Sequence, residues 1–167
     1  MSDAKIRAAK IRAAKVLTAS DGVIYGTRQD RSGEALAERL HEAGFTVVDR
    51  RAVEDGVASV SAALADMADG FSGLIVTTGG TGFGPRDLTP EATRRILERE
   101  APGLAEAMRL AAPRGWGRLS RGLAGTRGKA LILNTPGSPA GAVESLDAVL
   151  DILPHALALL ADDPTDH

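Results

Sequence analysis

The sequence predicts an α/β fold, a three-layer α/β/α sandwich with a mostly parallel central sheet. Two observations carry this. Short apolar strands alternate along the chain with stretches whose apolar residues recur at helical spacing, the order that a doubly wound sheet requires. The runs from Leu74 to Thr78 and from Lys129 to Leu133 are continuously apolar rather than alternating, as parallel strands covered on both faces must be.

Val16-Leu17-Thr18 opens the first strand, which ends at Ser20-Asp21 before a polar loop holding Gly22 and Gly26. Asp30 or Ser32 can cap the next helix, whose Leu36, Leu40 and Ala43 share a face and which Gly44 stops. Phe45 to Val53 reads as the second strand. Val57, Val60, Leu64 and Met67 then mark one helix face, closed by Gly70 before the strand at Leu74. Thr89 is a good N-cap, with Pro90 at the first helical position and Glu91 favourably placed against the helix dipole. Pro102 begins a helix with Leu104, Met108 and Ala111 on one side, Ser138-Pro139 another along Val143, Leu146 and Val149, and Pro154 the last. Ligands of such sheets bind beyond the carboxyl ends of the strands, where the loops Ser20-Asp21, Gly79 to Asp87 and Asn134 to Ser138 fall.

The 167 residues suffice for a single core that buries roughly two-thirds of the unfolded surface without a disulfide or metal staple. Residues 1–14 read as a basic N-terminal extension, in which Lys5-Ile6-Arg7-Ala8-Ala9 is repeated as Lys10-Ile11-Arg12-Ala13-Ala14; residues 15–161 read as one domain and 162–167 as a C-terminal tail. Twenty Lys and Arg against 22 Asp and Glu give a net charge of −2, too little to draw the chain to nucleic acid or a membrane surface, so small-molecule partners are expected. There is no cysteine, and His41, His155 and His167 are dispersed, so a metal would be a hard, oxygen-liganded one. No run approaches a membrane span and the N-terminus has no signal-peptide core, which makes cytoplasmic residence the expectation.

The most informative segment is Leu74-Ile75-Val76-Thr77-Thr78-Gly79-Gly80-Thr81-Gly82-Phe83-Gly84-Pro85-Arg86-Asp87, followed by Leu88-Thr89-Pro90-Glu91-Ala92. A buried strand runs into glycines whose N–H groups can approach a phosphate, with an acid between them and a helix start. The competing reading is a Gly-rich tight turn with no ligand. It is not a Walker loop, because Pro85 and Arg86 stand where Lys and Ser or Thr are needed, nor a dinucleotide fingerprint, because Pro85 occupies the third glycine position.

This segment resembles the signature of the MogA/MoaB group of molybdenum-cofactor biosynthesis proteins, the molybdopterin adenylyltransferases, to which gephyrin's N-terminal domain also belongs. Further matches lie at Ser20-Asp21, Asp30-Arg31-Ser32-Gly33, Pro102-Gly103 with Glu106 and Arg109, Leu119-Ser120-Arg121, and Asn134-Thr135-Pro136-Gly137-Ser138-Pro139, in the family's order over about residues 15 to 160. The resemblance implies a trimeric enzyme that transfers an adenylyl group from ATP to the terminal phosphate of molybdopterin, releasing pyrophosphate with Mg²⁺ present. It implies Asp87 and Asp55 as catalytic acids and Mg²⁺ ligands, Ser20, Gly79, Gly80, Thr81, Gly82, Asn134, Pro136 and Gly137 at the nucleotide, and Asp87, Thr89, Ser120 and Arg121 at the molybdopterin. Either Glu54 or Asp55 can be the second acid, since Glu54 stands at the family's usual proline and Gly56 at its usual following acid; Thr135 likewise departs from an apolar residue. Tyr25 and Trp116, the only large polar aromatics, can stack on a pterin or adenine or serve as packing residues, and the sequence assigns neither role. The alternative is a non-catalytic pterin- or nucleotide-binding member of the same group. An unrelated phosphotransferase is disfavoured by the absent Walker lysine.

Overall fold

The computed structural model describes residues 12–162 together with residues 2, 3 and 5. Six strands, β1 (Ala13–Ala19), β2 (Thr46–Val53), β3 (Gly73–Thr78), β4 (Arg99–Glu100), β5 (Ala124–Arg127) and β6 (Ala130–Thr135), form one sheet in the order β2-β1-β3-β6-β5-β4. The first four in that order run parallel, and β5 and β4 close one edge antiparallel. The helices are α1 (Asp21–Ile24), α2 (Arg31–Glu42), α3 (Val57–Ala68), α4 (Thr89–Ile96), α5 (Pro102–Leu110), α6 (Pro139–Asp147) and α7 (Leu153–Leu160), with a 3-10 turn at Trp116–Leu119.

Side chains of a strand point alternately to its two faces, so the continuously apolar strands split between two cores. Val16, Leu74, Val76, Leu131 and Leu133 face α2, α5, α6 and α7, where Leu36, Leu40, Met108, Leu146, Leu153 and Leu157 meet them. Leu17, Ile75 and Ile132 face α3 and α4, against Val60, Leu64, Met67, Ala92 and Ile96. The predicted three layers are therefore present. Each fully buried Leu or Ile stabilises by about 1.5–3 kcal/mol relative to exposure, which makes these two clusters the main favourable term of the fold.

Three points of the sequence reading are corrected. The first strand starts at Ala13, not Val16: Ala13 and Ala14, read as part of the extension, pair with β2, and Ala14 is fully buried. Most of the duplicated pentad (residues 6–11) and residues 163–167 of the tail lie outside the described residues. The antiparallel strands β4 and β5 have no counterpart in the sequence reading. Thr89 is not the N-cap of α4; Leu88 is, with no side-chain cap, and Thr89 is the first helical residue. Of the two candidate caps for α2, Asp30 serves, its carboxylate accepting from the Gly33 N–H at 3.0 Å.

Because β1 lies between β2 and β3, the chain leaves β1 towards one side of the sheet and returns on the other. The crevice at such a switch point is where open α/β sheets bind ligands. The loops after β1, β3 and β6 meet there.

Candidate functional site

A cleft of about 1380 Å³ opens at this switch point, and Ser20, Asp55, Gly79 to Gly82, Asp87, Ser120, Asn134, Pro136 and Gly137 line it. Met108, Trp116 and Leu119, from α5 and the 3-10 turn, supply an apolar wall. Trp116 thus lines the cleft, 69% exposed, rather than packing in a core.

The glycine loop is shaped by what touches it. Gly79 has φ +94°, and a Cβ there would sit 2.3 Å from the Ala19 carbonyl oxygen at the end of β1. Gly80 has φ +66°, and its Cβ would meet the Thr89 hydroxyl at 2.3 Å. Both conformations exclude most side chains. The Gly79 N–H donates to the Thr135 carbonyl at 3.2 Å, which docks the loop on β6. Among the described residues the N–H groups of Gly80, Thr81 and Gly82 have no partner within the protein, and those residues line the cleft. Three unpaired amides in one concave turn make an anion cradle.

Asp87 closes the loop from below. Its Oδ2 accepts from the Gly84 N–H at 2.8 Å and lies against Gly82 and Gly84, where a Cβ would come to 3.0 and 2.8 Å of it. Gly82 therefore leaves room for the carboxylate of Asp87. Its Oδ1 makes no hydrogen bond among the described residues.

Asp55 is set by a reciprocal pair. The Asp21 N–H donates to Asp55 Oδ2 at 2.9 Å, and the Asp55 N–H donates to Asp21 Oδ1 at 3.1 Å. Arg86 grips this pair, donating to Asp21 Oδ2 and Oδ1 at 2.5 and 3.0 Å and to the Asp55 carbonyl at 2.7 Å. The hydrogen bonds from Arg86 hold the Asp21 carboxyl below the usual carboxylate range. Burial pushes Asp55 the other way, with the charges of Asp21 and Asp87 adding to the rise and Arg86 opposing it. Of the two acids left open by the sequence, Asp55 lines the cleft, whereas Glu54 accepts from the exposed Tyr25 hydroxyl at 2.6 Å and stands outside it.

Several of the expected site residues do other work. Arg121, expected at the pterin phosphate, has turned its guanidinium onto the loop: it donates to the Gly82 carbonyl at 2.8 Å, to the Asp87 carbonyl at 2.5 Å and to Glu91. Asn134 is 2% exposed, and its side chain is engaged by Leu123 N–H, Thr77 and Thr93. Thr89 is 1% exposed beneath Gly80, with a hydroxyl that lacks any partner among the described residues. Ser20 caps α1 by accepting from the Val23 N–H at 3.2 Å, and the Ser120 hydroxyl accepts from the Gly122 N–H at 3.2 Å.

The donor set suits Mg²⁺. Asp55 and Asp87 present carboxylate oxygens to one cleft, and the charges of Asp21 and Asp87 add to the rise that burial imposes on Asp55, a repulsion that a cation relieves. Among the described residues no group of three or more His, Cys, Asp or Glu can hold a metal. Two carboxylates at most, with water and phosphate completing the shell, is the usual environment of Mg²⁺ rather than of zinc.

Sequence reasoning missed the Asp21–Arg86 pair as a unit. Arg86 entered only as the residue standing where a Walker loop needs Ser or Thr, and its partner lies 65 positions away.

Comparison with known proteins gives concordant results. The family model described as a probable molybdopterin binding domain matches residues 15–155. The chain is 38% identical over 150 residues to a protein of Helicobacter pylori (strain J99) named molybdopterin adenylyltransferase, covering 87% of this chain and 85% of that protein. It is 40% identical over 152 residues to the molybdenum cofactor synthesis protein cinnamon of Drosophila melanogaster, where the match covers 89% of this chain but 25% of the fly protein. Among solved structures, the molybdopterin biosynthesis enzyme MoaB of Thermus thermophilus superposes with a TM-score of 0.85 at 49% identity, covering 92% of this chain and 99% of that one.

Proposed function

The chain belongs to the molybdopterin-binding domain family of molybdenum-cofactor biosynthesis, and from that premise we propose that it is a molybdopterin adenylyltransferase using ATP and Mg²⁺. The observation that carries the proposal is that a triplet of unpaired amides and two carboxylates, Asp55 and Asp87, line one cleft at the switch point. A volume of about 1380 Å³ exceeds the roughly 300–1,000 Å³ of a single small-molecule pocket, as two substrates demand.

In the proposed reaction an oxygen of the pterin's terminal phosphate attacks the α-phosphorus of ATP. A new P–O–P linkage forms, the bond from the α-phosphorus to the bridging oxygen breaks, and that oxygen leaves with pyrophosphate. The amides of Gly80, Thr81 and Gly82 hold nucleotide phosphate, and Pro136 and Gly137 line the cleft against Thr78 and Gly79. Arg121 and Glu91 keep the loop in its binding form, so that order need not be created on binding. Asp55 and Asp87 offer the oxygens for Mg²⁺, which when bound neutralises phosphate charge and aligns the reacting groups. Asp87 and Ser120 lie beside the pterin, whose flat ring has the wall of Met108, Trp116 and Leu119 available to it.

We further propose a homotrimer, as the resemblance implies. The exposed Phe83 and Leu110 give the monomer apolar surface outside the cleft that association can cover. No helix among the described residues is long and apolar enough to cross a membrane. Incubation with ATP, Mg²⁺ and molybdopterin, followed by mass spectrometry, tests the activity: adenylylated molybdopterin is expected, and its absence with both substrates bound refutes the enzyme reading in favour of a binding protein.

A further inference from the structure

We propose that the cleft holds a second phosphate subsite at the N-terminus of α2, formed by Arg28, Arg31 and Ser32, which takes the β,γ-diphosphate end of the nucleotide. This deepens the adenylyltransferase reading and rests on it. All three residues line the cleft, on the β1 side, apart from the amides of Gly80 to Gly82 at the end of β3.

Three independent features converge there. The helix α2 is 12 residues long, so its first turn carries a partial positive charge. Ser32 lines the cleft and is 7% exposed, and among the described residues its hydroxyl makes no hydrogen bond and is not sealed from solvent, so it is open to a bound acceptor. The third feature is charge: among the described residues neither Arg28 nor Arg31 takes part in an ion pair. The nearby carboxylate that would quench them is Asp30, and it is already engaged by Thr18 at 2.9 Å, the Gly33 N–H at 3.0 Å and Arg50 at 3.1 Å. Arg28 is also directed: its stem crosses Gly22 of α1, where a Cβ would lie 3.1 Å from its Cδ. Most other arginines near the site have protein acceptors, Arg86 on Asp21 and Arg121 on Glu91 and the loop.

The chemistry decides which anion fits. When the α-phosphorus bond breaks, negative charge accumulates on the departing diphosphate, and two guanidinium forks with a hydroxyl and a helix terminus match its several oxygens better than they match a lone monophosphate. Asp55 and Asp87 line the same cleft and repel that group unless a cation intervenes.

The test is calorimetry of ATP, AMP and inorganic pyrophosphate at fixed Mg²⁺, on the parent and on Arg28→Gln, Arg31→Gln and Ser32→Ala. Both arginines are exposed, and their guanidinium groups pair with nothing among the described residues, so these variants fold, which thermal melting checks. ATP and pyrophosphate are expected to weaken about tenfold or more for each arginine and about threefold for Ser32→Ala, with AMP affinity unchanged. Unchanged ATP and pyrophosphate affinity overturns the subsite, and so does an equal loss of AMP. If nucleotide binding holds and only the KM for molybdopterin rises, the subsite belongs to the pterin's phosphate and the assignment is wrong. A parent protein that binds none of the three nucleotide probes instead overturns the adenylyltransferase reading, and the subsite with it.

Discussion

Gly79→Ala separates two reasons for a glycine in the loop, and the structure gives the magnitude. An alanine at φ +94° costs about 1–2 kcal/mol in backbone strain. Its methyl group would also stand 2.3 Å from the Ala19 carbonyl oxygen, a backbone atom of a central strand that cannot swing aside, and overpacking of this kind costs about 1–3 kcal/mol. The sum, about 2–5 kcal/mol, is large against the 5–15 kcal/mol typical of a domain. At about 2–4 °C per kcal/mol for this chain length, the melting temperature should fall by roughly 4–20 °C. Gly103→Ala is the control: it lies in α5 with nothing within 4 Å of its Cβ position, and should melt no lower than the parent. Differential scanning calorimetry without ligand reads both. A Gly79→Ala protein that melts like the parent would show that the close approach to β1 is not what requires glycine, and would sink the packing account of the loop.

Other outcomes follow from the same contacts. Arg86→Met should lower turnover about tenfold or more by loosening the Asp21–Asp55 pair, while stability moves by no more than about 1 kcal/mol because Arg86 is 58% exposed; Arg86→Lys should recover part of the rate, and parental kinetics for Arg86→Met would dismiss Arg86 as a positioning residue. Arg121 donates to Glu91 and holds its pKa below the ordinary 4.5, so the brace contributes fully above that value and is lost as pH falls through the depressed one; amide exchange in residues 79–87 should therefore quicken, relative to the intrinsic rate, below about pH 4.5, and an exchange pattern insensitive to pH there would contradict it. Removal of residues 2–11 should leave melting and turnover nearly unchanged, whereas removal through Lys15 should unfold the protein by deleting the start of β1 with buried Ala14; an equal effect of both truncations would refute this boundary.

The parallel strands and their covering helices were legible because each is written locally. Val16-Leu17, Leu74-Ile75-Val76 and Leu131-Ile132-Leu133 send neighbours to opposite cores, which only a doubly covered strand permits. The antiparallel edge was not, since β4 has two exposed residues and β5 includes Gly125, and neither carries an apolar pattern. At the site, the glycine loop and Asp87 were legible as one contiguous segment. Nothing in Leu119-Ser120-Arg121 reveals a guanidinium reaching back 39 positions to the Gly82 carbonyl. Nor does the sequence around Asn134 show that its side-chain amide is engaged by Thr77 and Thr93. Side-chain bonds between distant loops are tertiary facts, and spacing does not encode them.

Asp87 is the residue on which the proposed chemistry turns. Asp87→Asn keeps an oxygen to accept from the Gly84 N–H and keeps the volume that Gly82 accommodates, but removes the charge. Single-turnover formation of adenylylated molybdopterin should slow by about a hundredfold or more, equivalent to roughly 2.7 kcal/mol of barrier, with the melting temperature close to the parent's. A folded Asp87→Asn protein that makes the product at the parental rate would contradict the proposed role of the carboxylate at the centre of this site.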